Sequence, residues 1–257
     1  MTLPDSWKEV CSSKAIVMGL NRYAFRREYT AVKLSQVGFT NIEIVESFDG
    51  FNDDVDKALN DLGIKFNPEL RPGHKGCSYT MMREWKRFID SGDEYRLFFE
   101  DDAIPHLDLA KGLGQKFWDA TPKDFDILYM GNMMEKSHPE LNLPEKLVVQ
   151  VPTYCLHAYI LSRKGALKMF ELSKGLVMNM LDIQLFEWQI EDKINWYCWN
   201  GVWTQKSYPT FDGGLPWQFF QDIITPHKDT GLFWQNMRVG STLEHPTLQI
   251  TMPQYDI

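Results

Sequence analysis

Apolar and polar positions in the first half of the chain alternate between two periods. Lys14–Leu20 (KAIVMGL) is a short apolar run bounded by polar residues, the pattern of a buried strand. Ala24–Val37 spaces its apolar side chains at helical intervals. Ile42–Glu46 (IEIVE) is β-branched and alternating, a second strand that ends at the turn signal Asp49-Gly50. Val55–Leu62 and Ser78–Ile89 read as helices, the second entered from a turn at Gly76-Cys77. Tyr95–Phe99 (YRLFF) is a strand that runs into three carboxylates and is stopped by Pro105. Leu107–Trp118 is helical, and Asp126–Met130 is a further strand closed by Gly131-Asn132. Strand and helix in alternation predict an α/β fold with a mostly parallel, Rossmann-like sheet flanked by helices.

After about residue 145 the texture changes. Leu147–Val151 and Leu156–Leu161 read as strands, Lys164–Leu172 as a helix begun near Ser162, and Asp182–Glu191 as a helix. The last stretch is rich in Pro, Gly and aromatics with little periodicity, and reads as loops and short strands folded over the first half. The expected organisation is one domain spanning 1–257, with a ligand-binding lobe over 14–145 and an aromatic-rich lobe over 146–257.

Composition narrows the function. With 27 basic against 35 acidic residues the net charge is -8, which argues against a nucleic-acid binder, whose affinity comes from cations neutralising phosphates. A nucleotide ligand is still open, because a bound divalent ion supplies positive charge that the sequence lacks. Cys11, Cys77, Cys155 and Cys198 form no CxxC pair, which removes zinc-ribbon and thioredoxin readings. The segment MTLPDSWKEV has no apolar signal core and no stretch reaches membrane-span length, so the expected location is cytoplasmic.

The candidate chemistry sits at Glu100-Asp101-Asp102. Ligands of open parallel sheets collect at the carboxyl ends of strands. Adjacent carboxylates repel one another unless water or a cation compensates, and hard oxygen donors suit magnesium or manganese. The plain alternative is a solvated loop in which Asp102 caps a helix. Strand alternation puts Glu100 and Asp102 on one face and Asp101 on the other.

Several blocks, in order, resemble the family-25 type of glycosyltransferase, which includes bacterial lipooligosaccharide transferases and collagen galactosyltransferases. They are IVMGLNRYAFRRE, VESFDG, GHKGCSYTMMREW, YRLFFEDDA, DILYMGN and CLHAYILSRKGALKMF, spread over about residues 14–185. Tyr79-Thr80 departs from the Ser-His pair common in the family. The resemblance implies a GT-A-type fold, a nucleoside-diphosphate-sugar donor such as a uridine diphosphate sugar, a manganese or magnesium ion, and a glycan or glycoconjugate acceptor. It also implies transfer of a hexose or pentose with inversion, which needs a base beside the acceptor hydroxyl.

On this resemblance Asp102 and Glu100 are the expected metal ligands, with His227 as a late histidine ligand and His245 as its rival. Asn21, Arg22, Arg27, Asp49, Glu100, Asp101 and His157 are the expected nucleotide-sugar contacts. Asp182 is the expected catalytic base, against Glu187, Asp212 and Asp222. For each there is a structural reading too: Arg26 or Arg27 as a helix-surface charge, Asp49 as a turn residue, His157 as a buried hydrogen-bonded histidine, Ser162 as a helix cap. One or two of Trp188, Trp196, Trp199, Trp203, Trp217 and Trp234 would face sugar, the others filling core. The rival functions are a retaining transferase on the same fold, a metal-dependent nucleotidyltransferase, for which no Gly- and Lys-rich phosphate loop is visible, and a non-catalytic carbohydrate-binding protein.

Overall fold

A computed structural model describes residues 5–105, 107–134, 146–200 and 233–235. In chain order the elements begin with α1 (Trp7–Ser12), β1 (Ala15–Gly19), a 3₁₀ turn at Asn21–Tyr23, α2 (Ala24–Gln36), β2 (Ile42–Glu46), α3 (Val55–Asp61) and β3 (Lys65–Phe66). Then come α4 (Pro72–Ser91), β4 (Tyr95–Glu100), β5 (Ala103–Pro105), a 3₁₀ turn at Leu107–Lys111, α5 (Leu113–Ala120) and β6 (Ile127–Met134). They are followed by β7 (Val148–Val149), β8 (Thr153–Ser162), α6 (Arg163–Ser173), β9 (Val177–Met178), α7 (Leu181–Ile190), β10 (Trp196–Trp199) and β11 (Phe233–Gln235).

Seven strands make one sheet in the order β2-β1-β4-β8-β6-β10-β7. β2, β1 and β4 are mutually parallel, as are β6 and β10; β8 is antiparallel to both its neighbours, and β7 to β10. Five strands therefore point one way, and the mixed α/β architecture with a mostly parallel sheet agrees with the hydrophobic pattern. Helices cover both faces. Ile16, Met18, Phe98 and Tyr159 meet Met82, Trp85 and Phe88 of α4, Met169 of α6 and Trp188 of α7. Val17, Leu97, Phe99 and Ile160 meet Val10 of α1, Leu34 of α2 and Phe117 of α5. Burial on both faces is why β1 and β4 read as continuous apolar runs rather than alternating ones. Each fully buried Phe or Trp in these layers stabilises by about 1.5–3 kcal/mol.

The structure departs from the sequence reading at several places: β8 starts at Thr153 rather than Leu156, β10 has no counterpart in that reading, and three further boundaries differ for a visible reason. Gly76-Cys77 is not a turn, because α4 already starts at Pro72, a residue suited to a first helical turn. Gly76 is glycine for packing: a Cβ there would stand 2.6 Å from Gly50 N and 2.7 Å from Phe48 O, so only a bare helix face fits the loop after β2. Thr80 ties the two together, accepting from Phe48 N and donating to Gly76 O. Leu107–Trp118 is broken at Gly112, whose φ of 101° ends the 3₁₀ turn before α5 begins. β6 runs through Gly131-Asn132, where register shifts absorb the glycine without ending the strand. Ser162 is a cap, as read: its Oγ accepts from Gly165 N at the start of α6. Among the described residues no helix is long and apolar enough to cross a membrane.

Candidate active site at the carboxyl edge of the sheet

β1 and β4 run in parallel with Met18 beside Glu100, so Gly19 and the acidic residues leave the sheet at one edge. β4 ends at Glu100, and Asp101-Asp102 form a turn into β5. That turn overrides strand alternation and corrects the expected facing. Asp101 and Asp102 share a partner, the Arg26 guanidinium, at 2.8 and 3.4 Å, while Glu100 points toward α4 and accepts from the Cys77 thiol at 3.8 Å. Thr30 Oγ1 donates to Asp101 O and pins the turn to α2. Gly19 lies directly beneath: a Cβ would meet Asp101 Oδ2 at 2.5 Å and Arg27 Cγ at 2.6 Å.

Arg26 and Arg27 both lie on the core-facing side of α2, 3% and 7% exposed, so neither is the surface charge that helical spacing allowed. Arg26, missed as a site residue, is the built-in counter-ion of the acidic turn. The signal was available in principle, since a buried acidic turn beside a helix start requires a cation and α2 carries two candidates. Arg27 donates to Asn21 Oδ1 at 3.1 Å. Arg22 pairs with Asp49, whose carboxylate also accepts from Phe51 N and Asn52 Nδ2. Asn21, Arg22, Arg27 and Asp49 thus assemble beyond the ends of β1 and β2, with Asp49 acting as a turn residue and as an arginine partner together.

Asp182 arrives from a third direction. Leu181 N donates to Ser78 Oγ, fixing the first turn of α7 on α4. Asp182 is half-buried, and burial raises its carboxyl above the usual range, while the Ile183 N–H and His74 pull it down. Its charge is felt at Glu100, which is pushed well above the usual range by burial first and then by Asp102, Asp101 and Asp182. Burial likewise pushes Asp101 up to about 7, with Arg26 and Arg27 pulling against it. Glu187, the rival of Asp182, is held by Asn179 Nδ2 and Gln184 Nε2 and serves the local structure of α7.

His157 is buried on β8, one residue from Ala158, the partner of Phe99, and so lies beside the end of β4. Its ring rests against Gly131, where any Cβ would collide with it. Trp188, Trp196 and Trp199 are core residues, at most 7% exposed. His227, His245, Asp212, Asp222, Trp203 and Trp217 lie outside the described residues, as does the side chain of Trp234. What is described of the tail is β11, which pairs antiparallel with β5, Gln235 opposite Ala103, immediately after the acidic turn.

The donor set suits a hard divalent ion of one kind. Among the described residues no three His, Cys, Asp or Glu side chains converge as a closed metal site. Magnesium and manganese at nucleotide sites draw one or two carboxylates from the protein and fill the rest with phosphate and water. Glu100 and Asp102 carry the oxygen donors that such a partial shell uses, although Glu100 is turned toward Cys77 and Asp102 toward Arg26.

No family model matches the chain. Solved structures similar to it include an inositol-1-phosphate CTP transferase from T. maritima, at 15% identity and a TM-score of 0.40, covering 74% of this chain and 85% of that one. Another is a glycosyltransferase involved in glycosylation of the major capsid of PBCV-1, at 10% identity and a TM-score of 0.35, covering 63% and 64%. A third is a glucose-1-phosphate thymidylyltransferase structure from Bacillus anthracis with bound sucrose, at 13% identity and 0.35, covering 81% and 98%. Likenesses of this depth concern backbone layout, and the chemistry has to come from the residues themselves.

Proposed function

We propose that this protein is an inverting, metal-dependent glycosyltransferase of the family-25, GT-A type. It would move a hexose or pentose from a nucleoside diphosphate sugar, a uridine diphosphate sugar in the first instance, to a hydroxyl of a glycan or glycoconjugate. The observation that carries the reading is the meeting of three separate groups at one sheet edge. Arginines 22, 26 and 27 stand around the start of α2, carboxylates 100–102 follow β4, and the isolated carboxylate Asp182 comes from α7.

Each group has a task. Asn21, Arg22, Arg27 and Asp49 take the nucleoside and phosphates, the guanidinium forks matching phosphate oxygens. Asp102 and Glu100 hold the manganese or magnesium ion, which when bound neutralises the charge of the departing diphosphate. Asp101 and His157 line the sugar side. Arg26 ties Asp101 and Asp102 together and so fixes the shape of the turn. Asp182 takes the proton from the acceptor hydroxyl as it attacks, and its raised carboxyl makes it a better base than an ordinary aspartate.

The test is a panel of nucleotide sugars assayed for hydrolysis and transfer with and without manganese. Manganese-dependent release of nucleoside diphosphate supports the reading. Release of pyrophosphate from a nucleoside triphosphate and a sugar phosphate would replace it with a nucleotidyltransferase. Asp182→Asn is expected to lower turnover about 100- to 10,000-fold while leaving donor affinity intact by calorimetry. Unchanged turnover would move the base to another residue.

A further inference from the structure

We infer that Tyr154 and Phe186 form the acceptor platform of this site, taking the C–H face of a pyranose ring beside Asp182; the inference rests on the glycosyltransferase reading above. β8 runs opposite to β4, with Phe99 beside Ala158, so its first residues reach the edge where the acidic turn lies. There the pairing with β6 is irregular. Gly131 pairs with Ala158 and Met133 with Tyr154, so Cys155, Leu156 and His157 together oppose Asn132 alone. Cys155 takes a φ of 70°, a left-handed conformation that a non-glycine residue adopts only when its surroundings enforce it. Bulges of this kind turn a side chain away from the direction that regular pleating dictates.

The side chain re-aimed here meets α7. The rings of Tyr154 and Phe186 stack at 3.9 Å with an interplanar angle of 13°. Among the described residues most aromatic pairs meet edge to face, and the other stacked pair, Phe98 with Tyr159, is fully buried. Tyr154 and Phe186 are both only half-buried, so part of this stack faces outward. Phe186 stands one helical turn from Asp182, on the same side of α7, while Leu181, Gln184, Leu185 and Trp188 face inward. Cys155, next to Tyr154, lies within the field of Asp182, Glu100 and Asp102. An outward aromatic stack adjoining a half-buried carboxylate offers what a sugar acceptor requires, a flat apolar surface for one ring face and a base near its hydroxyls.

The experiment is saturation-transfer NMR with methyl β-D-glucopyranoside and methyl β-D-galactopyranoside on the full chain. Phe186→Ala removes the ring; Phe186→Leu keeps apolar packing against Tyr154 and controls for folding. The wild type is expected to transfer saturation to protons on one face of at least one probe, and both variants to lose it at least fivefold. Equal transfer in wild type and Phe186→Leu, or none in the wild type with either probe, overturns the platform. Uridine diphosphate with manganese is titrated into the same samples. Absence of nucleotide binding there would sink the glycosyltransferase reading and leave a saccharide contact at Phe186 standing, whereas nucleotide binding without saccharide contact sinks the platform alone.

Discussion

Arg26→Met separates a built site from a decorated helix. The guanidinium stands 2.8 Å from Asp101 and 3.4 Å from Asp102 and is 3% exposed, so methionine fills most of the space and removes the charge. Two carboxylates then remain in a turn that water scarcely reaches. Breaking a buried ion pair from one side costs about 3–5 kcal/mol, because the surviving charge is left without compensation. With a urea m-value of about 2 kcal/mol/M, the unfolding midpoint should fall by about 1.5–2.5 M. Asp101→Asn in the same chain removes part of the stranded charge, so the double variant should recover at least about 1 kcal/mol against the sum of the singles. Urea titration followed by tryptophan fluorescence at pH 7.5 reads all four proteins. A single variant within about 0.5 kcal/mol of wild type would mean that Arg26 behaves as a surface residue, and the reasoning fails.

Two further outcomes follow from the same geometry. Gly19→Ala pushes a methyl group into Asp101 and Arg27, and Asp101 is pinned by Thr30, so a loss of about 1–3 kcal/mol in chemical denaturation is expected, together with weaker nucleotide binding; a neutral substitution would show that the edge is loosely packed. Glu43 bridges Lys14 and Arg87, and its hydrogen bond from Lys14 leads the influences that lower its carboxyl below the usual range. A lowered acid stabilises the fold above its unfolded value and loses that contribution as pH falls through the folded one. Glu43→Gln should therefore be less stable than wild type by under about 1 kcal/mol at pH 7, with the gap closing toward pH 3 in thermal melts; a gap that widens on acidification would reverse the assignment.

Some strands were legible because they buried both faces or alternated: Ile42–Glu46 matches its predicted bounds, and β1 and β4 differ by a residue or so, whereas β8 starts at Thr153 rather than Leu156 and β10 of the main sheet was not read as a strand. Packing between distant segments was not legible. Gly76-Cys77 looked like a turn because nothing local reveals that the Phe48–Gly50 loop needs a bare helix against it. Gly131 looked like a strand end because its reason, the His157 ring, comes from another strand. At the site, the residue types were readable and their partners were not. Arg22 and Asp49 were each named singly, and only the fold pairs them. Arg26 was set aside as one of two similar arginines, since spacing along α2 cannot tell which faces the acidic turn. Asp182 reaches the edge through Leu181 bonding to Ser78 across a long stretch of chain, a contact no periodicity encodes. The Tyr154–Phe186 stack depends on a bulge and left no mark in the pattern at all.

The central claim is that the carboxylates after β4 hold a cation that recruits the donor diphosphate. Calorimetric titration of uridine diphosphate into wild type and Asp102→Asn, each with and without manganese, tests it most directly. The account predicts that manganese tightens binding at least about tenfold in the wild type, roughly 1.4 kcal/mol, and has little effect in the variant, which stays folded because Arg26 keeps Asp101 as its partner. Equal manganese enhancement in both proteins, or tight binding in neither condition, would contradict it.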